Sequence, residues 1–73
     1  SRTGVLTKAR NGTFWVDRDR YVLASGALIE DVNGNPLEAQ EMQGSELNVP
    51  VQYWVGTGET RNQITQLIVT LSE

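Results

Sequence analysis

Two residue types that many active sites require are absent from this sequence. It contains no cysteine and no histidine among its 73 residues. Without cysteine there is neither a disulfide nor a thiolate zinc site. Without histidine there is no Ser-His-Asp or Cys-His arrangement, so an enzyme would have to use carboxylates, lysine or tyrosine alone. We therefore expect no catalytic residue, no cofactor and no metal, and we predict that the chain is not an enzyme.

The sequence also lacks an apolar run long enough to cross a membrane. A spanning helix needs about 18 or more consecutive apolar residues, so no membrane span is predicted. No signal peptide is recognisable in the sequence. Ser1 is not an initiator methionine, which leaves open whether a leader was removed or the chain was shortened.

Positive charge is scarce and unevenly distributed. Six Lys and Arg stand against nine Asp and Glu, and the net charge of −3 disfavours nucleic acid as a partner. Residues 1–24 contain five basic and two acidic residues, whereas residues 25–73 contain one arginine and seven acidic residues. A basic first third therefore precedes an acidic remainder.

Hydrophobic alternation predicts β-strands along most of the chain. Residues 47–55 alternate with period two, and a glycine-containing turn leads from them to a strand over 62–71. In that second strand the apolar parity switches between Ile64 and Leu67, which predicts a bulge or burial on both faces. Strands are also predicted over 3–9 and 13–16, on either side of a type I′ turn at Asn11-Gly12.

The middle of the chain contains shorter segments. Extended stretches are predicted at 20–24 and 27–30, with a break at Ser25-Gly26, and residues 37–43 allow one helical turn. The sequence thus predicts one all-β domain over residues 1–73. It would have five to six antiparallel strands, arranged as a small OB-like or SH3-like barrel or as a sandwich, with one helical turn near 37–43.

A run of Asp and Asn residues follows the 27–30 segment. Asp31, Asn33 and Asn35 match the first, third and fifth positions of an EF-hand loop. The sixth position is Pro36 rather than glycine, and the twelfth is Met42 rather than glutamate. We interpret the run as a loop of Asx turns.

Basic and aromatic residues are interleaved near the start of the chain, namely Lys8, Arg10, Phe14, Trp15, Arg18, Arg20 and Tyr21. On an OB-like barrel such residues stack bases and contact phosphates, so single-stranded nucleic acid is one possible partner. In the structural interpretation, Phe14 belongs to the core and Trp15 covers a sheet face. The acidic net charge favours the structural interpretation.

Both tryptophans are predicted to lie opposite the core side of their strands. Phe14 and Tyr53, which precede them in sequence, are expected core residues. If the two strands are neighbours, Trp15 and Trp54 form an outer aromatic patch, which is typical of a protein interface. The alternative is that they pack together under a loop. The candidate interaction surface therefore comprises Trp15, Trp54, Tyr21, Arg18 and Arg20.

Several segments combine a glycine with alternating residues, namely Gly4-Val5-Leu6, Gly12-Thr13-Phe14-Trp15-Val16, Ile29-Glu30-Asp31-Val32-Asn33-Gly34, Gly44-Ser45-Glu46-Leu47-Asn48-Val49 and the final Ile64-Thr65-Gln66-Leu67-Ile68-Val69. With these segments nearly the whole chain resembles exported bacterial OB-like barrel domains of unknown function. It is more loosely similar to the globular β part of pilin-like subunits, whose long N-terminal hydrophobic helix is missing here. The resemblance implies an exported, non-enzymatic module in the periplasm or outside the cell.

The expected function is therefore structural or protein-interacting. The chain would be a globular subunit of a bacterial envelope or extracellular, pilus-like assembly, bound to a protein partner or to copies of itself. The alternative function is an OB-like domain that binds single-stranded nucleic acid. Salt separates the two, because phosphate contacts weaken steeply as salt rises whereas apolar docking does not.

Overall fold

A computed structural model describes residues 1–71, and its strands form one closed β-barrel. The strands are β1 (Arg2–Arg10), β2 (Thr13–Val16), β3 (Asp19–Asp31), β4 (Val49–Val55) and β5 (Gln63–Val69). Short 3₁₀ turns at Ala39–Met42 and Gly58–Thr60 precede β4 and β5. The predicted all-β class and the helical turn within 37–43 are confirmed. Residues 72 and 73 of the predicted domain lie outside the described residues.

Strand order around the barrel is β1-β2-β3-β5-β4, and β4 closes the sheet against β1. Four of the neighbouring pairs are antiparallel, whereas β3 and β5 run parallel. The expectation of antiparallel pairing throughout is wrong for this pair. β5 reverses β4 and β4 reverses β1, so β5 runs in the direction of β1 and β3. The arrangement is a barrel rather than a sandwich and is consistent with an OB-like fold.

Two tight turns connect the first three strands. Asn11 and Gly12 both have positive φ, 50° and 83°, which is the predicted type I′ hairpin. The turn between β2 and β3 is formed by Asp17 and Arg18, and Asp17 has a φ of 55°. Asp17 is held to β1, because its backbone N–H donates to the Val5 carbonyl (2.8 Å) and its Oδ1 accepts from the Val5 N–H (3.0 Å).

The 20–24 and 27–30 segments belong to one strand, β3. The predicted break at Ser25-Gly26 is a bulge within it. Leu23 pairs with Ile64, and the next pair is Leu28 with Gln66. Between these two pairs β3 has four residues, whereas β5 has only Thr65. The barrel therefore has five strands, and the prediction of separate strands at 20–24 and 27–30 is wrong.

A second bulge lies in β5 at Thr65, because Ile64 pairs with Val55 while Gln66 pairs with Trp54. It allows Ile64 and Leu67 both to point inward, and both are fully buried. The parity switch predicted from the sequence is confirmed as a bulge.

The core fills the barrel with apolar side chains and two tyrosines. Two of its rows cross the sheet through paired, buried residues: Ala9–Phe14–Tyr21 and Ile29–Leu67–Tyr53. The other buried residues are Leu6, Val16, Met42, Val51, Ile64 and Val69. Since side chains alternate along each strand, the residues between these rows point outward and form the outer faces of the barrel.

The loop after β3 has the predicted Asx geometry. Asp31 Oδ1 accepts from the backbone N–H groups of Asn33 (2.8 Å) and Asn35 (3.0 Å), and Oδ2 accepts from the Asn35 side chain (3.1 Å). These bonds, first of all the one from the Asn35 backbone, lower the pKa of Asp31. Within residues 1–71 no group of three or more acidic residues is placed to hold a metal ion. No helix in this part of the chain is long and apolar enough to cross a membrane.

Candidate binding surfaces

Two outward rows on β1, β2 and β3 bring together three of the five basic residues in positions 1–24. The rows are Lys8–Trp15–Arg20 and Arg10–Thr13–Val22, and we call these six residues the basic face. They lie on either side of the buried row Ala9–Phe14–Tyr21, which fixes their outward direction. Arg10 and Arg20 are exposed, and Trp15 is half-buried.

Trp15 on the basic face is covered in part by a cation. The Lys8 Nζ lies 4.6 Å from the centroid of the Trp15 ring, which is a cation–π contact between directly paired residues. At an exposed site such a contact contributes about 0.5–1 kcal/mol. The indole of Trp15 therefore lies beside a positive charge rather than against another aromatic ring.

Two loops border the basic face. The Leu23 N–H donates to the Gly12 carbonyl and the Val22 N–H donates to the Asn62 carbonyl, both at 3.0 Å. The Asn11-Gly12 turn and the loop between β4 and β5 thus both contact the first half of β3, and Arg61 is exposed in the second loop. In OB-folds the outer side of β2 and β3, between these loops, is where oligonucleotides and oligosaccharides bind.

Tyr21 does not lie on the basic face, and its prediction as a surface residue is wrong. It is buried, with its ring centroid 5.4 Å from that of Tyr53 in an edge-to-face contact. The two hydroxyl oxygens are 3.4 Å apart, and Arg2 Nη1 donates to the Tyr21 hydroxyl at 3.3 Å. Burial and the Tyr21 contact raise the pKa of Tyr53 to about 12. Tyr21 is therefore a core residue and offers no surface for stacking.

The predicted patch of two tryptophans is not formed. β1 lies between β2 and β4, so the strands of Trp15 and Trp54 are not neighbours. Trp15 pairs with Lys8, whereas Tyr53, which precedes Trp54, pairs with Arg2 near the start of β1. Arg2 and Lys8 are six residues apart on β1, which corresponds to about 20 Å along the strand. Of the other predicted surface residues, Arg20 is on the basic face and Arg18 is exposed in the adjoining turn.

Trp54 belongs instead to a different outer surface, on the second half of β3 and on β5, β4 and β1. Its paired rows are Leu28–Gln66–Trp54 and Glu30–Ile68–Gln52–Thr3. Ile68 of the second row helps to line a shallow depression of about 400 Å³, together with Val5, Val32, Pro50 and Thr70 beyond that row. We call the surface formed by Leu28, Val32, Pro50, Trp54 and Ile68 the apolar face.

The apolar face leaves large aliphatic groups in water. Leu28 is 65% exposed and Val32 is 60% exposed. Glu30 is the one charged residue in its two paired rows. Sequence reasoning missed Leu28, Val32 and Ile68, although the outward parity of Ile68 was a usable signal. Their grouping depends on the parallel β3–β5 pair and the bulge at residues 24–27, which the sequence did not indicate.

No family model, curated protein or solved structure matches this chain. The OB-like barrel does not by itself define a ligand, because one fold supports many unrelated functions. The chemistry of the basic face and of the apolar face is therefore the basis for inferring function.

Proposed function

We propose that this chain is a non-catalytic protein-interaction module, a globular subunit of a bacterial envelope or extracellular, pilus-like assembly. The apolar face would dock onto an apolar surface of a neighbouring subunit. The observation that supports this proposal most strongly is the exposure of Leu28 on a sheet face with a single charge in its paired rows, next to the exposed Val32 in the turn after β3. The resemblance to exported bacterial domains supports the location.

Burial of this face would release a useful amount of free energy. Fully burying a leucine or valine side chain contributes about 1.5–3 kcal/mol, and more than half of Leu28 and of Val32 is still in water. Exposed apolar side chains gathered on one side of a domain are typical of protein interfaces. An isolated aliphatic residue on the surface would need no such explanation.

A charge placed on the apolar face tests the proposal. Leu28→Asp in the tagged chain, expressed in its native host, should reduce recovery of the partner subunit about tenfold after cross-linking. Leu28 is exposed, so folding stability should change by no more than about 0.5 kcal/mol. Val22→Asp on the basic face is the matched control and should leave recovery unchanged. Equal recovery with both variants would contradict docking through the apolar face.

The basic face supports a second candidate function, the binding of single-stranded nucleic acid. Lys8, Arg10 and Arg20 lie on the same outer face as the half-buried Trp15, between the two loops that border ligands in OB-folds. Cations that follow a strand and an aromatic ring on which a base stacks are the usual components of such sites. Against it stand the net charge of −3 and the loss of Tyr21 from the surface.

Salt dependence tests this second candidate. If three cations each neutralise one phosphate, the affinity for an oligo(dT) of about fifteen nucleotides should fall with a log–log salt slope of about −2. Arg20→Gln should reduce the size of that slope by about 0.7, because one phosphate contact is lost. Fluorescence anisotropy at several salt concentrations measures both. No binding, or binding with a flat slope, would exclude nucleic acid on this face.

A further inference from the structure

A cleft of about 340 Å³ borders the basic face, between β1 and the segment that leads to β4. It is lined by Lys8, Ala9, Arg10, Gln43, Gly44 and Ser45. Every polar side chain in this lining has a hydrogen-bond donor, supplied by an ammonium, a guanidinium, an amide or a hydroxyl group. Neither aspartate nor glutamate contributes to the lining. We infer that this cleft binds a phosphate group.

The floor of the cleft is held rigidly. Ala9 N–H donates to the Gly44 carbonyl at 2.9 Å, and Gly44 N–H donates to the Ala9 carbonyl at 3.0 Å. These two bonds hold the segment against β1 like an additional strand. A site that is already ordered before its ligand arrives loses less entropy on binding.

The side-chain amide of Gln43 is oriented by a hydrogen bond to its oxygen, so that its nitrogen remains a donor. The Asn11 N–H donates to Gln43 Oε1 at 3.2 Å, which occupies the acceptor end of the amide. The Nε2 group is left as a donor in a cleft that Ser45 also lines. Arg10, which is exposed, provides a planar fork of donors that matches two phosphate oxygens. The donor set therefore fits a tetrahedral oxyanion better than a cation or an apolar group.

Lys8 connects the cleft to Trp15. Its side chain lines the cleft while its Nζ lies 4.6 Å from the Trp15 ring. An anion in the cleft would attract the ammonium and change the electrostatic environment of the indole. Trp15 fluorescence is therefore a direct reporter of occupancy.

The proposed phosphate site extends the second candidate function. It rests on that function only for the claim that the bound phosphate belongs to a single-stranded nucleic acid. A polynucleotide lying across the basic face would place one backbone phosphate in the cleft and a base near Trp15. Inorganic phosphate probes the cleft without that assumption. The phosphate site and the binding of nucleic acid can therefore be refuted separately.

The experiment uses the full chain with Trp54→Phe, which leaves Trp15 as the single tryptophan. Inorganic phosphate at constant ionic strength should change the Trp15 emission along a saturating curve. Arg10→Gln should weaken phosphate binding about tenfold, because a charge-assisted hydrogen bond is lost. Arg18→Gln removes an exposed cation that does not line the cleft and should leave the affinity unchanged. Amide chemical-shift changes centred on Gly44 and Ser45 would locate the ion.

Each outcome decides one part of the inference. Binding of both phosphate and oligo(dT), weakened by Arg10→Gln in both cases, supports the site and the polymer. Binding of phosphate without oligo(dT) supports the site and excludes the nucleic-acid function. If phosphate has no effect beyond that of chloride, or if Arg18→Gln weakens it as much as Arg10→Gln does, the cleft is not a phosphate site.

Discussion

The basic face and the apolar face rest on the same core and share one strand, yet their chemistry is opposite. β3 contributes Arg20 and Val22 to the first face before its bulge, and Leu28 to the second face after it. Inside the barrel, the rows beneath both faces are uniformly buried. The buried residues define the barrel, whereas the outward residues that alternate with them differ in chemistry from one face to the other.

Removal of a core ring should disrupt both faces at once and gives the largest expected effect. Phe14 is 1% exposed and lies beneath the basic face. Phe14→Ala should lower the free energy of unfolding by about 3–5 kcal/mol, measured by urea denaturation. Thr13→Ala, the adjacent outward position, should change it by no more than about 0.5 kcal/mol. If both variants lowered the free energy of unfolding by a similar amount, the assignment of Phe14 to the interior and Thr13 to the outer side of β2 would be wrong.

Alkaline pH should lower the free energy of unfolding, because Tyr53 in the shared core would then ionise. The pKa of Tyr53 is raised to about 12 from 10, because folding favours the neutral phenol. Its contribution to stability is therefore complete below pH 10 and is lost as pH rises from 10 to about 12. Tyr53→Phe should remove this dependence, and denaturant unfolding at stepwise pH measures it. If stability fell with pH in the same way in the parent chain and in Tyr53→Phe, Tyr53 would not be the source of the dependence.

The bulge in β3 is the boundary between the faces, and a substitution at Gly26 tests its backbone conformation. Gly26 has a φ of +76° with open space around its Cα, so a new side chain meets no neighbour but strains the backbone. Gly26→Ala should cost roughly 1–2 kcal/mol in thermal unfolding. Gly26→Asn should cost less, because asparagine tolerates this conformation better. A neutral or stabilising Gly26→Ala would mean that the left-handed bulge is not formed.

The smallest effect is expected on the surface of the basic face. Lys8→Met keeps the aliphatic length but removes the cation from Trp15, and should lower stability by about 0.5–1 kcal/mol. Trp15 emission should change, whereas Trp54 emission should not. Arg10→Met removes a cation that is one row away and is the control. An unchanged Trp15 spectrum in Lys8→Met would contradict the contact.

Much of the barrel was predictable because its signals are local. Asn11-Gly12 defines its own turn through positive φ, and alternation in 47–55 and the parity switch after Ile64 identify β4 and the β5 bulge. Strand pairing is not local. The parallel β3–β5 pair and the bulge at residues 24–27 depend on how the closed sheet is completed, and neither was predicted.

The candidate sites were predictable only in part, for the same reason. Lys8, Arg10, Trp15 and Arg20 are close in sequence on three successive strands, so their grouping followed from the two tight turns that connect β1, β2 and β3. Tyr21 was misplaced, because its inward side is set by the register with Phe14. The apolar face and the cleft join segments far apart in the chain, such as Lys8 with Ser45, and no local sequence pattern groups those segments.

β3 runs as a single strand of 13 residues from one face to the other. A protein docked at Leu28 and a charged polymer held at Arg20 would grip the same covalent backbone at two points eight residues apart. Pulling force between such partners would travel along peptide bonds for this distance, rather than across the hydrogen bonds that join neighbouring strands. Force applied between these two points would therefore be carried by the covalent chain of β3.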